Sequence, residues 1–199
     1  MPGVQRTGTV QSEVIVPEGK LRETITCLQM LSRHRPQKAL SRLEHLAVLR
    51  ACNPTVSYYR YLYNRVGEPW LWYERRLLAD AELLPLIQNL KISIFVLYSA
   101  GVPAGFAELD ARKAKAIELS NFGLMPEYMG KGLGRFFLDW VVDQAWDLEP
   151  ERLLVSTSNF DHPKAVNVYQ QAGFEPYEQE TRVIDDPRLA PGWPDTSHT

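Results

Sequence analysis

The stretch Asn121–Trp146, NFGLMPEYMGKGLGRFFLDWVVDQAW, decides how the rest of the chain is read. It begins as the end of an apolar strand, passes a Pro-containing turn and opens a helix across Gly130, Gly132 and Gly134. Glycines at alternate positions leave backbone with little side-chain cover. Several N–H groups can then approach one anion, and the helix behind them adds the positive end of its dipole. Lys131 and Arg135 put two cations beside that mouth. The bland alternative is a loop that only lets strand and helix pack closely.

Nucleotide loops do not account for the pattern. In G-x-x-x-x-G-K-[ST] the position five before Gly130 would be glycine and the residue after Lys131 a hydroxyl; here they are Met125 and Gly132. G-x-G-x-x-G fails as well, because the run reads Gly-Lys-Gly-Leu-Gly-Arg. Both failures disfavour a nucleotide-dependent enzyme. A diphosphate carried by another molecule remains, with coenzyme A as the candidate.

MGKGLG after a strand and PEY resembles the pyrophosphate loop [QR]-x-x-G-x-[GA] of the GCN5-related N-acetyltransferases (GNAT), with Met129 in the Arg or Gln slot. A second GNAT hallmark, A-x-x-[LF]-Y-x-x-x-G-F, is matched downstream by the run from Ala165 through Tyr169 to Gly173 and Phe174. Two motifs in order are more specific than either alone. The resemblance covers Lys91–Tyr177 well and the front of the chain weakly. It implies an α/β fold with a mixed, largely antiparallel sheet flanked by helices, in which a splayed parallel strand pair forms the coenzyme gap.

Composition agrees with one domain of soluble type. The chain has 199 residues, enough for a sizeable core, and a formal charge of −2 that argues against a general nucleic-acid binder. No apolar run approaches membrane-spanning length and no signal-peptide core is visible, so a cytoplasmic protein is expected. Two cysteines, Cys27 and Cys52, lack the company of a metal site. Residues 1–20 read as a loose N-terminal segment, 21–185 as the single domain and 186–199 as an irregular tail.

Within that domain, Leu21–Leu31 alternates enough for a first strand, and Gln37–Ala51 carries apolar residues at helical spacing. Asn53–Leu78 is rich in aromatics (Tyr58, Tyr59, Tyr61, Tyr63, Trp70, Trp72, Tyr73), which serve either as a core layer or as the wall of an acceptor pocket. Asp80 starts a short helix. Lys91–Tyr98, Val102–Leu109 and Lys115–Leu124 form an antiparallel meander, with Gly105 marking a bulge or a close backbone contact. The helix after the glycine loop is predicted to bury Phe137, Trp140, Val141, Ala145 and Leu148. Arg152–Thr157 is predicted as a strand parallel to the third meander strand. Asp161 is a candidate cap for the motif helix that Gly173 stops, and Phe174–Ile184 supplies one or two closing strands.

The resemblance also implies roles. The backbone of Phe122, Gly123 and Leu124 is expected to pair with the pantetheine arm of acetyl-CoA. Gly130, Lys131, Gly132, Leu133, Gly134 and Arg135 are expected to wrap its pyrophosphate, and Asn159 to replace an asparagine contact that His162 has displaced. Tyr169 fills the motif tyrosine slot as general acid for the departing thiolate. Glu118, eleven residues before Met129, is the candidate base, with Glu108 and His162 in reserve. No metal is implied. The expected partners are a coenzyme A thioester and a primary amine, with a homodimer left open and neither nucleic acid nor membrane. A non-catalytic acyl-CoA-sensing module is the alternative, since Met129 and His162 depart from the motif.

Overall fold

In a computed structural model, residues 16–33, 45–191 and 193 are described. Seven strands form one sheet in the order β2-β3-β4-β5-β6-β1-β7, where β1 is Lys20–Met30, β2 Leu46–Arg50, β3 Ile92–Ser99, β4 Val102–Asp110, β5 Ala116–Leu124, β6 Arg152–Ser158 and β7 Glu175–Asp185. All pairings are antiparallel except β5 with β6. That one parallel pair follows from chain direction: α4, Leu133–Trp146, carries the chain back before β6 begins. The remaining helices are α1 (Val56–Gly67), α2 (Glu74–Leu77), α3 (Asp80–Ile87) and α5 (Ala165–Gln171). No helix among the described residues is long and apolar enough to cross a membrane.

Both sheet faces are covered, which is why β3 and β4 are apolar on successive residues rather than alternating. One core lies under α4 and α5 and contains Leu97, Leu109, Phe137, Leu138, Val141 and Phe174. The other lies under α1 and α3 and contains Tyr59, Leu62, Leu83, Ile94 and Phe106. The meander forms as its sequence indicates. Ala100 and Gly101, at φ 50° and 82°, make the two-residue turn whose twist suits a hairpin. Gly105 sits at a register shift between β3 and β4, and a Cβ there would lie 2.5 Å from the Gly123 carbonyl oxygen. Bulge and close backbone contact are both present.

Three sequence expectations are corrected. Within Gln37–Ala51, Leu46–Arg50 is a strand paired with β3 and not helix; residues 37–44 lie outside the described residues. Edge pairing to β3 outweighs the local spacing, as it commonly does for short apolar runs. Leu148 is 58% exposed beyond the end of α4, whereas Leu138 and Val142 complete the buried face. Asp161 does not cap α5, which starts at Ala165, because its carboxylate is bonded elsewhere. β1 forms where a first strand is expected. It inserts between β6 and β7, antiparallel to both, and makes the closing segment one long edge strand.

Candidate active site

The parallel ladder between β5 and β6 runs only from Ala116↔Arg152 to Leu119↔Val155. Beyond it, β5 continues to Leu124 paired with β4 alone, and β6 continues to Ser158 paired with β1 alone. Two facing backbone edges therefore diverge, from Ser120 on one side and Ser156 on the other. A bulge between Glu108 and Leu109 accompanies the divergence by inserting Ser120 into β5. Phe122, Gly123 and Leu124 lie on the open edge. A Cβ on Gly123 would stand 2.4 Å from Val66 Cγ1, so only glycine lets α1 pack this close to β5.

At the outer end of this gap the chain turns through Pro126–Tyr128 into the glycine loop. Gly130 and Gly132 have φ of 73° and 79°, and a Cβ at either would meet nothing within 4 Å. Their requirement is conformational, since L side chains strain in the left-handed region. Alternating such residues with ordinary ones turns successive amides to one side. The N–H groups from Gly130 to Arg135, Lys131 and Leu133 included, donate to no other group among the described residues, and α4 begins at Leu133. The Lys131 ammonium lies 5.5 Å above the Tyr128 ring, beside this cradle. Free amides, a helix N-terminus and a nearby cation fit the diphosphate of coenzyme A. The Arg135 side chain is turned away, paired with Asp139 at 2.7 Å and donating to the Gln171 carbonyl at 3.0 Å, so it ties α4 to α5.

Tyr169 reaches the gap from α5. Its ring touches Phe122 and Phe174, and it is 7% exposed. No described residue hydrogen-bonds its hydroxyl. Burial, with a smaller push from the Asp161 carboxylate, raises its pKa well above the tyrosine range, so the phenol keeps its proton at neutral pH.

The predicted carboxylates stand in different surroundings. Ile117 and Leu119 point into the α4-side core, so Glu118 projects from the opposite face, one position before the ladder ends. It pairs with Lys113 at 2.6 Å. Glu108 is wholly buried, with Tyr59 bonded to one oxygen and Arg75 to the other at 2.8 Å. With both oxygens taken and no exposure, Glu108 is a structural anchor for α1 and α2. The Asn159 side chain accepts from the Thr24 amide at 2.7 Å and donates to the Arg22 carbonyl at 3.2 Å, which fastens β6 to β1. His162 Nδ1 accepts from the Lys164 amide and its ring meets the edge of Trp70.

The core-layer reading of the aromatic segment holds for part of it. Tyr59 and Tyr63 are core. Trp72, on the loop between α1 and α2, packs on the same core through Tyr63 and Phe106 and also extends to Asp161, while Trp70 meets His162. Trp72 Nε1 donates to Asp161 at 2.8 Å, and the same carboxylate accepts from Thr157 Oγ1 and the Ser158 amide. Tyr73 donates to Glu23, a residue 5% exposed on β1 that also pairs with Arg182 of β7 at 2.8 Å. Nothing in the sequence pairs Glu23 with Arg182 or Trp72 with Asp161; the first contact follows from β1 lying beside β7 and the second from the path of the loop between α1 and α2.

The sheet with its diverging parallel pair, the amide cradle and the motif helix define an acetyltransferase-like α/β fold. A model of the acetyltransferase (GNAT) family matches residues 42–174, and the chain belongs to that family. No curated protein matches it. Among solved structures it is similar to a GCN5-related N-acetyltransferase from Sphaerobacter thermophilus, with TM-score 0.60 and 15% identity over 81% of this chain and 50% of that one. A functionally unknown conserved protein from Staphylococcus epidermidis gives TM-score 0.55 and 15% identity over 84% and 64%. A Bacillus subtilis acetyltransferase in complex with CoA gives TM-score 0.51 and 15% identity over 65% and 76%. The chain thus spans only half to about two thirds of the first two proteins. At these identities the likenesses establish fold. The family match begins after β1, so the strand that carries Glu23 lies outside it.

Proposed function

We propose that the protein is an N-acetyltransferase that moves acetyl from acetyl-CoA directly to a primary amine, with both substrates bound together. One observation carries this reading: the diverging strand edges, the cradle of free amides and the unpartnered Tyr169 hydroxyl converge on a single gap. The open edge at Phe122–Leu124 supplies backbone partners for the amides of the pantetheine arm, as an added strand would. The amides from Gly130 to Arg135 hold the pyrophosphate without needing the side chain that Met129 lacks.

When bound, the thioester supplies the acetyl group and a sulfur leaving group. Tyr169 holds a proton at its hydroxyl and delivers it to the departing thiolate. An alkyl amine with pKa near ~10.4 is almost wholly protonated at neutral pH, and making it nucleophilic costs about 4 kcal/mol. Glu118, near the end of the parallel ladder, is the base in this reading and relieves that cost directly or through water once it leaves its Lys113 partner.

Titration calorimetry with acetyl-CoA, with ATP and NADH as controls, tests the cradle. Micromolar binding of acetyl-CoA alone supports it, and no binding removes the coenzyme from the reading. Thiol release with a panel of amines then separates the enzyme from its alternative. Met129 and His162, which depart from the motif, favour a second reading as a non-catalytic acyl-CoA-binding module, which binds the thioester tightly and releases no thiol with any amine.

A further inference from the structure

On the α1 face of the sheet, one side chain reaches both walls of the gap. The Trp72 indole packs on the core through Tyr63 and Phe106, with ring centroids 5.2 and 6.2 Å away. Its outer edge runs along Nε1, Cζ2 and Cη2. Nε1 donates to Asp161 at 2.8 Å, and Asp161 is held to β6 by Thr157 Oγ1 and the Ser158 amide. Cζ2 and Cη2 lie 3.9 and 3.7 Å from where a Cβ on Gly123 of β5 would stand. One rigid ring edge therefore touches the wall on either side. Gly123 is the fourth residue after Leu119, where the parallel ladder ends, so the indole crosses the open part of the divergence. The ring is also fixed from behind. A Cβ on Gly67 would stand 2.6 Å from Trp72 Cβ and 2.8 Å from its Cγ, so the end of α1 packs against the base of the indole. Trp70 meets His162, next to Asp161, and ties the same loop to the β6 side a second time.

We infer that Trp72 is a coenzyme-binding residue, whose indole covers the pantetheine arm on the α1 face and, through Asp161, braces the two strand edges at the spacing the arm needs. This rests on the acetyl-CoA reading of the gap. The arm is the flexible, uncharged part of the coenzyme, and a chain laid along the Gly123 backbone comes within van der Waals reach of the indole edge. Phe122 and Tyr169 stand on the opposite face, with ring centroids 6.4 Å apart. Aromatic side chains thus flank the arm on both faces, while the phosphates and adenosine lie outside them, toward the glycine loop. Walls held apart before the ligand arrives lower the ordering cost of binding it. The brace therefore acts on the arm and not on the adenosine end.

The test is calorimetric binding of acetyl-CoA and of 3′-phosphoadenosine diphosphate, which lacks the arm, to the full chain and to Trp72→Phe. The variant keeps a ring in the core and loses the Nε1–H bond and the outer edge of the indole. It weakens acetyl-CoA about tenfold or more, the range for losing a hydrogen bond to a charged group, and leaves 3′-phosphoadenosine diphosphate unchanged. A merely structural role would weaken both ligands alike. That outcome overturns the inference, as does equal acetyl-CoA affinity in the two chains. NMR of the full chain gives a reading that does not depend on the variant's folding. The Trp72 indole N–H signal, assigned through its contact with Tyr63, shifts when acetyl-CoA binds and stays in place with 3′-phosphoadenosine diphosphate. A signal unmoved by bound acetyl-CoA overturns the inference alone, whereas no acetyl-CoA binding by the full chain overturns the coenzyme reading and the inference with it.

Discussion

The two sides of the gap are built in opposite ways. On the coenzyme side, Phe122–Arg135 is one continuous stretch whose working parts are backbone amides and open strand edge. On the other side, the cluster of Glu23, Tyr73 and Arg182 comes from the first strand, a loop between helices and the last strand. Backbone groups are common to all residues, so that stretch needs only the conformations that glycine permits. The cluster needs particular side chains, and they meet only because β1 inserts between β6 and β7. An arrangement of backbone groups is therefore written locally, and a cluster of distant side chains is written in the topology.

The largest effect that sharpens this contrast is expected at Tyr169, the proposed general acid. Tyr169→Phe lowers kcat by about 10²- to 10⁴-fold, the usual range for a lost general acid, with acetyl-CoA affinity unchanged in calorimetry. Equal turnover in the variant would remove Tyr169 from the reaction. On the coenzyme side, Gly130→Ala with Gly132→Ala forces two residues into left-handed conformation at roughly 1–2 kcal/mol each. Acetyl-CoA binding then weakens by about tenfold or more while circular dichroism stays native. Unchanged affinity would mean that the loop does not need its positive φ angles for the ligand.

A third change probes the scaffold beneath the gap. Gly105→Ala places a methyl 2.5 Å from the Gly123 carbonyl oxygen, and its stability in denaturant should fall by about 1–3 kcal/mol. Unaltered stability would show that β4 and β5 shift apart freely, and the gap would then not be rigid. Glu118→Gln is expected to move the acidic limb of the pH–rate profile; an unmoved limb would assign proton removal to water or another group. The smallest effect is an absence. Because burial raises the Tyr169 pKa, its proton is retained past the ordinary tyrosine value, so kcat/KM shows no basic-limb fall from this residue up to about pH 10. A fall between pH 8 and that value, lost in Tyr169→Phe, would contradict the burial of the hydroxyl.

Much of this was legible because its causes are local. The meander reads from β-branched runs broken by Ala100-Gly101, and α4 reads from its apolar spacing. Other residues misled for reasons that are equally physical. Leu46–Arg50 has helical spacing but lies beside β3 and completes its hydrogen bonds. Asp161 looks like a cap, yet Trp72, Thr157 and the Ser158 amide claim its carboxylate. Arg135 sits in the anion loop by sequence, while its side chain finds Asp139 one turn along the same helix.

By itself the sequence determined the meander, the glycine loop with its helix, the motif helix bearing Tyr169, and the resemblance that joins them. Each depends on residues near one another in the chain, where periodicity and turn chemistry act directly. Only the tertiary structure decided where β1 lies, which carboxylates are sealed and which keep a free oxygen. Those outcomes depend on strands more than a hundred residues apart, such as Glu23 and Arg182, whose pairing is won by burial and cross-strand bonding that no local pattern encodes.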